Sequence, residues 1–456
     1  MSAYKEILQA PPIVQSSGLS LQRNFAWSFA GNVVYALCQW GMIIVLAKLG
    51  NPFMVGQFSL GLALSTPVLM LTNLQLRVVQ ATDVRRGYVF GEYLGLRLVT
   101  TAIAFATIAG IACAVTHEPN TIMVVLAVGA AKSTESISDI FYGLFQLNNH
   151  LDQTGMSMML KGLVSVAALT MGLYLTRDVL WGVIALAMAW VALLLSFDAR
   201  RGGRFLPLSA ERHPWLDGLE ALRPKFDLQR QAALARLAFP LGIVMALVSL
   251  NLNMPRYFVH SAMGETELGV FSTMAYAMVA IATVVDAMAH AATPKLARLY
   301  AGNRLPEFRA LLLKLVVLGF LIGLLATAVI LLGGETLLRL LYGAEYAGYA
   351  SVFAWLTAGA GISAVASLLT NGITSAKRFR AQVPMFFMVV GSNALACSLL
   401  VPRLGLTGAA LAVLLASSVH MLMAVAILSY VLFRPSKEAG VVGSDPAYSD
   451  SWGSSL

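Results

Sequence analysis

The sequence predicts an all-α polytopic membrane protein of about twelve transmembrane helices in two six-helix halves related by pseudo-two-fold symmetry. Three observations carry that prediction: composition, the spacing of apolar runs, and the placement of Lys and Arg. Of the 456 residues, 58% are apolar and 12% are Asp, Glu, Lys or Arg. A soluble domain carries about 25% charged residues. A chain at half that level has more apolar surface than it could hide from water, so the membrane class follows before any motif is read.

The apolar runs give the elements in order. A helix crosses the bilayer core with about 20 predominantly apolar residues. Runs of that kind fall at 24–48, 53–76, 93–115, 121–145, 156–175, 179–197, 237–260, 268–292, 308–332, 349–375, 381–401 and 407–433. The connections Thr116–Asn120 and Pro402–Leu406 are so short that the helices they join must be antiparallel. The first run is too long for a cleavable signal peptide and follows a polar or mixed segment, so it reads as an uncleaved helix.

Positive charge sets the orientation. With the N-terminus inside, the cytoplasmic segments hold 22 of the 31 Lys and Arg residues and the outer segments hold 5. The remaining four, Arg97, Lys132, Lys161 and Lys314, lie within spans, and Lys48, Arg256 and Arg309 are counted with the segments next to the span ends they occupy. No segment breaks the alternation, which predicts a multi-pass protein of the inner (cytoplasmic) membrane with both termini cytoplasmic. The net charge of +9 is therefore topological. No basic stretch is interleaved with aromatics, and nucleic acid is excluded as a partner.

The organisation that follows is a cytoplasmic segment at 1–23, a six-helix bundle at 24–197, a basic cytoplasmic linker at 198–236, a second bundle at 237–433 and a disordered tail at 434–456. Trp215, Leu219 and Leu222 fall at helical spacing in the linker, as in an amphipathic helix lying on the inner leaflet. The halves carry a trace of duplication. Leu49–Ser59 reads L-G-N-P-F-M-V-G-Q-F-S and Met263–Ser272 reads M-G-E-T-E-L-G-V-F-S. Each places a Gly, a short outer turn and then Gly-x-Phe-Ser at the opening of the next helix. Six-helix repeats of this kind occur in transporters whose substrate sites lie between the halves, and this step brings transport into view.

Charges inside the membrane narrow the chemistry, since each costs about 2.5–3.5 kcal/mol at the helix centre. Lys132, Glu135 and Asp139 are spaced three and four apart in the fourth span, so they share one stripe that must face protein or water. It is either a polar cavity wall with a proton or cation site, or a Lys–carboxylate pair locking helices together. Asp286 and His290 are four apart in the eighth span: a carboxylate–His pair can carry a proton, or His290 simply caps the helix end. Lys161 and Lys314 read as snorkelling toward span ends. Asn32 and Gln39 share a face of the first span, and Asn251, Asn253 and Arg256 lie in the seventh. These amides either bond between helices or recognise a polar ligand, and Arg256 can bind phosphate bidentately.

Enzyme chemistry is not expected. Long outer loops bearing paired carboxylates are absent, as are a phosphate-binding Gly-Lys-Ser/Thr loop, a metalloprotease motif and a Ser/His/Asp arrangement. Cys38, Cys113 and Cys397 sit inside apolar runs with no His or Cys at ligand spacing, so neither disulfides, a metal nor another cofactor is implied.

Several stretches resemble a known family. L-N-M-P-R-Y-F (Leu252–Phe258) followed by L-G-V-F-S, and Q-L-R-V-V-Q-A-T-D (Gln75–Asp83) followed by F-G-E-Y-L (Phe90–Leu94), resemble bacterial O-antigen and polysaccharide flippases. L-Y-G-A-E-Y (Leu341–Tyr346) and P-R-L-G-L-T-G-A-A-L-A (Pro402–Ala412) resemble the wider superfamily. It includes the multidrug and toxin extrusion (MATE) antiporters and the peptidoglycan precursor flippases, which typically have more spans. The resemblance covers about Asn24 to Phe433 and implies a MATE-like fold. It also implies a carrier of undecaprenyl-pyrophosphate-linked oligosaccharide, moving O-antigen or exopolysaccharide repeat units to the outer leaflet. A polysaccharide polymerase and a chain-length regulator are the implied partners, beside membrane lipids. For such a substrate Arg77, Lys132 and Arg256 suit the pyrophosphate, and Asn32, Tyr35, Gln39, Asn251 and Tyr257 suit the sugars. The alternative is a MATE-like, cation-coupled multidrug antiporter, with H+ or Na+ bound at Glu135, Asp139, Asp286 or His290.

Overall fold

The computed structural model describes residues 19–83, 87–206, 222–376, 378 and 381–433. Trp215, Leu219 and the tail from residue 434 lie outside the described residues. Every regular element among those described is helical. By packing, the chain divides into two compact units, one up to Tyr276 and one from Ala277.

The first unit begins with α1 (Leu21–Leu49), whose first turn is capped by Ser20 accepting from the Arg23 N–H. Helix α2 (Pro52–Thr72) opens where the Asn51 side chain accepts from the Met54 N–H at 3.0 Å and Pro52 supplies the preset φ of a first turn. The chain then turns through Leu74 and Gln75, both at φ +52°. It continues as α3 (Leu76–Thr82), past the predicted end of the second span at residue 76. Helices α4 (Phe90–Val115), α5 (Pro119–Leu147) and α6 (Leu151–Thr176) follow. Helix α7 (Val179–Leu193) runs without interruption through one π-turn, Leu194–Ala199, and stays helical to Phe205. Helix α8 (Leu228–Ala277) is divided at Gly264, whose φ of +83° is a left-handed conformation that glycine tolerates.

At three predicted boundaries the helical backbone outruns the apolar run: after α2 ends at Thr72 the chain is helical again over Leu76–Thr82, α7 stays helical beyond residue 197, and α8 begins at Leu228 rather than 237. Hydropathy marks only the lipid-facing length of a helix. The backbone hydrogen bonds that define the helix continue into charged turns at the interface, such as Arg200–Arg204.

The second unit holds α9 (Val279–Ala301), α10 (Leu305–Leu341, interrupted at Gly333), α11 (Ala350–Ser375) and α12 (Gln382–Phe433). Gly405, at φ +58°, breaks α12 where the short Pro402–Leu406 connection was expected. Nine helical stretches among the described residues are long and apolar enough to cross a membrane. Two of these contain the breaks at Gly264 and Gly405, and α5 is kept out of the nine by its polar stripe.

The two units share a packing plan. Helix α5 is the hub of the first, against α2, α3, α4 and α7. Its Val124, Val125, Val128, Ile140 and Phe145 are buried there. Helix α11 is the hub of the second, against α9, α10 and α12. Its Gly361 meets Gly323 of α10 so closely that an added Cβ would lie 3.0 Å from the Gly323 Cα. In the predicted order these hubs are the fourth and tenth spans, which are equivalent positions in a six-plus-six layout. Their chemistry differs: α11 carries no charged residue, whereas α5 carries the Lys132, Glu135 and Asp139 stripe.

Candidate functional site

The stripe on α5 divides into two ionic clusters. Lys132 Nζ donates to Glu135 Oε2 at 2.7 Å, and the other Glu135 oxygen accepts from the Tyr35 hydroxyl of α1. The Lys132 ammonium also lies 5.4 Å from the centre of the Trp190 ring on α7, within cation–π range. One turn further along, Asp139 faces two arginines. Arg77 Nη1 approaches Oδ1 at 3.4 Å and Arg97 Nη2 approaches Oδ2 at 3.5 Å. Asn73 Oδ1 joins this cluster, accepting from Arg97 and, at 2.9 Å, from Ser136. Glu135 and Asp139 tie α5 to α1, α3 and α4, while Arg77, Lys132, Glu135 and Asp139 each keep 21–30% of their side chains exposed.

A third cluster escaped the sequence reading. Lys161 is not a snorkelling residue: it is 1% exposed and donates to Asp198 Oδ2 at 2.9 Å and to the Tyr142 hydroxyl at 2.8 Å. Ser157 donates to the second Asp198 oxygen at 2.6 Å. Asp198 was placed in the linker because the apolar run ends at Phe197, yet it is fully buried. A signal existed. Trp190, Leu194 and Asp198 recur at four-residue spacing on the buried stripe of α7, and Ser157, Lys161 and Ser165 do so on α6. Arg97, with no exposed side-chain surface, was also passed over. Two aromatics join the clusters. The Arg77 guanidinium lies over the Tyr142 ring at 5.5 Å, and Trp190 Nε1 donates to Ser165 at 2.7 Å.

The predicted residues on α8 form a separate group. Arg256 Nη1 donates to Asn253 Oδ1 at 2.8 Å, and its guanidinium lies 5.4 Å from the Tyr276 ring centre. No ion pair to Arg256 occurs among the described residues. Its neighbour Tyr257 donates to the Ala63 carbonyl of α2 at 2.5 Å, which fixes that ring on the backbone of another helix. Asn251 is partly buried on the same helix. On α1, Asn32 is exposed and its amide returns to the Ser28 carbonyl of its own helix at 2.7 Å. The Gln39 amide nitrogen is buried with no hydrogen-bond partner among the described residues. Asp286 is exposed on α9, and the side chain of His290 lies outside the described residues. No group of three His, Cys, Asp or Glu suited to a metal occurs among the described residues.

The first unit thus gathers partly exposed basic groups on a buried ionic frame. Comparison with known proteins gives that frame a class. No family model matches the chain. It superimposes on the lipid II flippase MurJ in an inward closed conformation with a TM-score of 0.68 at 12% identity, covering 89% of this chain and 87% of that one. It superimposes on an inward-facing multidrug resistance MATE family transporter with a TM-score of 0.60 at 15% identity, covering 92% and 95%. The chain therefore shares the fold of this MATE transporter, itself a member of the MOP superfamily, and of MurJ.

The resemblance to polysaccharide flippases read from the sequence is supported by a sequence relative. The chain is 25% identical over 411 residues to the capsular polysaccharide biosynthesis protein CapF of Staphylococcus aureus, covering 90% of this chain and 98% of that one.

Proposed function

We propose that this chain translocates an undecaprenyl-pyrophosphate-linked oligosaccharide across the cytoplasmic membrane, from the inner to the outer leaflet, by alternating access. In this reading the chain crosses the membrane about twelve times with both termini inside, as its positive charges direct. The observation that carries the reading is the charge balance of the first unit. Arg77, Arg97, Lys132 and Lys161 face the carboxylates Glu135, Asp139 and Asp198, and Arg256 adds a guanidinium with no ionic partner among the described residues. With Arg256 counted, these groups carry an excess of positive charge, which suits a pyrophosphate; a carrier of cationic drugs would need the opposite sign. Arg77, Lys132 and Arg256 are the proposed phosphate contacts, with Tyr35, Tyr257, Asn32, Gln39 and Asn251 as candidates for the sugars. The similarity to CapF supports a polysaccharide precursor as cargo, and the likeness to MurJ supports a fold able to carry a lipid-linked head group.

The test is genetic and chemical. A deletion strain should lose surface polysaccharide and accumulate lipid-linked repeat units on the cytoplasmic leaflet. Wild type should restore it, and Arg256→Ala or Lys132→Ala made at equal protein levels should not. Normal polysaccharide with altered sensitivity to cationic drugs would overturn the proposal in favour of the antiporter, with Glu135, Asp139 or Asp286 as its H+ or Na+ site.

A further inference from the structure

The two Gly-x-Phe-Ser motifs that betray the duplication meet each other in the fold, and they meet reciprocally. Aligned on Gly-x-Phe-Ser, Gly56 matches Gly269, and four residues earlier Pro52 matches Glu265. A Cβ added to Gly56 would run into the carbonyl oxygen of Glu265. A Cβ added to Gly269 would run into the carbonyl oxygen of Pro52 and lie 2.9 Å from the Gly56 nitrogen. Each glycine therefore receives the backbone one turn earlier in the other motif. That is the pattern of a two-fold contact, residue i on j and j on i, formed here within one chain.

Its position and smoothness point to a role. Both motifs stand at the start of a helix just after an outer turn, α2 after Asn51 and the second half of α8 after Gly264. Both glycines are buried, as are Gln57, Phe58, Ser59, Val270, Phe271 and Ser272 behind them. Gln57 is anchored by donating to Thr121 at 2.9 Å. A glycine-on-backbone contact has no interdigitated side chains, so the two surfaces can part and rejoin without repacking rotamers. We propose that the Gly56–Gly269 contact is the outer closure of the transport path, shut when these helix ends touch and parted when cargo leaves for the outer leaflet. This rests on the transport reading and its orientation, and it adds the two glycines that make closure possible.

The test uses the full-length protein in cells, with Cys38, Cys113 and Cys397 replaced by Ala and Asn251→Cys as reporter. Asn251 precedes the Gly264 break by 13 residues, about 20 Å along a helix. A membrane-impermeant maleimide added outside should label the reporter more in Gly56→Ala and in Gly269→Ala than in the parent, by about five-fold or more. The double variant should label no more than the stronger single, because either methyl alone separates the same surfaces. Gly323→Ala, at the close Gly323–Gly361 crossing of α10 and α11 where an added Cβ would also meet backbone, at 2.6 Å, controls for misfolding and should leave outside labelling at the parent level. Parent-level labelling in both motif variants, or an equal rise in the control, would overturn the closure. A rise confined to the motif variants supports it even if the deletion strain keeps normal polysaccharide, a result that would remove only the proposed cargo.

Discussion

Removing one partner of the Lys161–Asp198 pair should destabilise the first unit far more than removing both. The two side chains are 1% and 0% exposed and lie 2.9 Å apart. In Asp198→Leu the Lys161 ammonium keeps only the Tyr142 hydroxyl. In Lys161→Met the Asp198 carboxylate keeps only Ser157. Truncating one member of a buried ion pair costs about 3–5 kcal/mol, because the other charge is stranded. At about 1.4 kcal/mol per decade, this shifts the folding equilibrium by two to three and a half decades. The double variant Lys161→Met/Asp198→Leu strands nothing. Tyr142 and Ser157 remain bonded to each other at 2.8 Å, and apolar replacements of buried pairs are often neutral. The assay is thermal unfolding of the detergent-solubilised protein followed by size-exclusion chromatography, alongside the amount of protein in the membrane. Both singles should be depleted and melt early, the double should approach wild type, and its transport per molecule should be retained. Singles within about 1 kcal/mol of wild type, or a double whose loss equals the sum of the singles, would refute the argument.

Two further outcomes are expected. Tyr35→Phe removes a hydrogen bond to a charged acceptor, worth about 1.5–3 kcal/mol. It should lower the melting temperature, and a variant that melts with the wild type would show that this bond adds nothing to stability. Arg256→Lys keeps the charge but loses the planar fork that reaches Asn253 while lying over Tyr276. Surface polysaccharide, normalised to protein level, should fall well below wild type, and full complementation by Arg256→Gln would rule out a charged role.

The fourth span shows what sequence reading can and cannot reach here. Spacing alone placed Lys132, Glu135 and Asp139 on one stripe facing protein or water, because a lipid-facing charge is too costly. It could not say that Glu135 takes Tyr35 from α1 while Asp139 takes Arg77 and Arg97, since those partners lie about 40 to 100 residues away along the chain. Asp198 shows the complementary failure. Hydropathy ended the sixth span at Phe197, whereas the buried register of α7 includes the very next residue, Asp198, which meets Lys161.

By itself the sequence determined the all-helical membrane class, the long apolar helices and the resemblance to polysaccharide flippases, as well as the stripe of charge. These follow from quantities local to the chain, namely apolar length, helical period and short motifs. Only the tertiary structure decided which charges are spent on one another, and that the two Gly-x-Phe-Ser motifs touch. A side chain's partner across helices depends on packing that no window of sequence contains, and a glycine's purpose appears only when another backbone occupies the space of its missing Cβ.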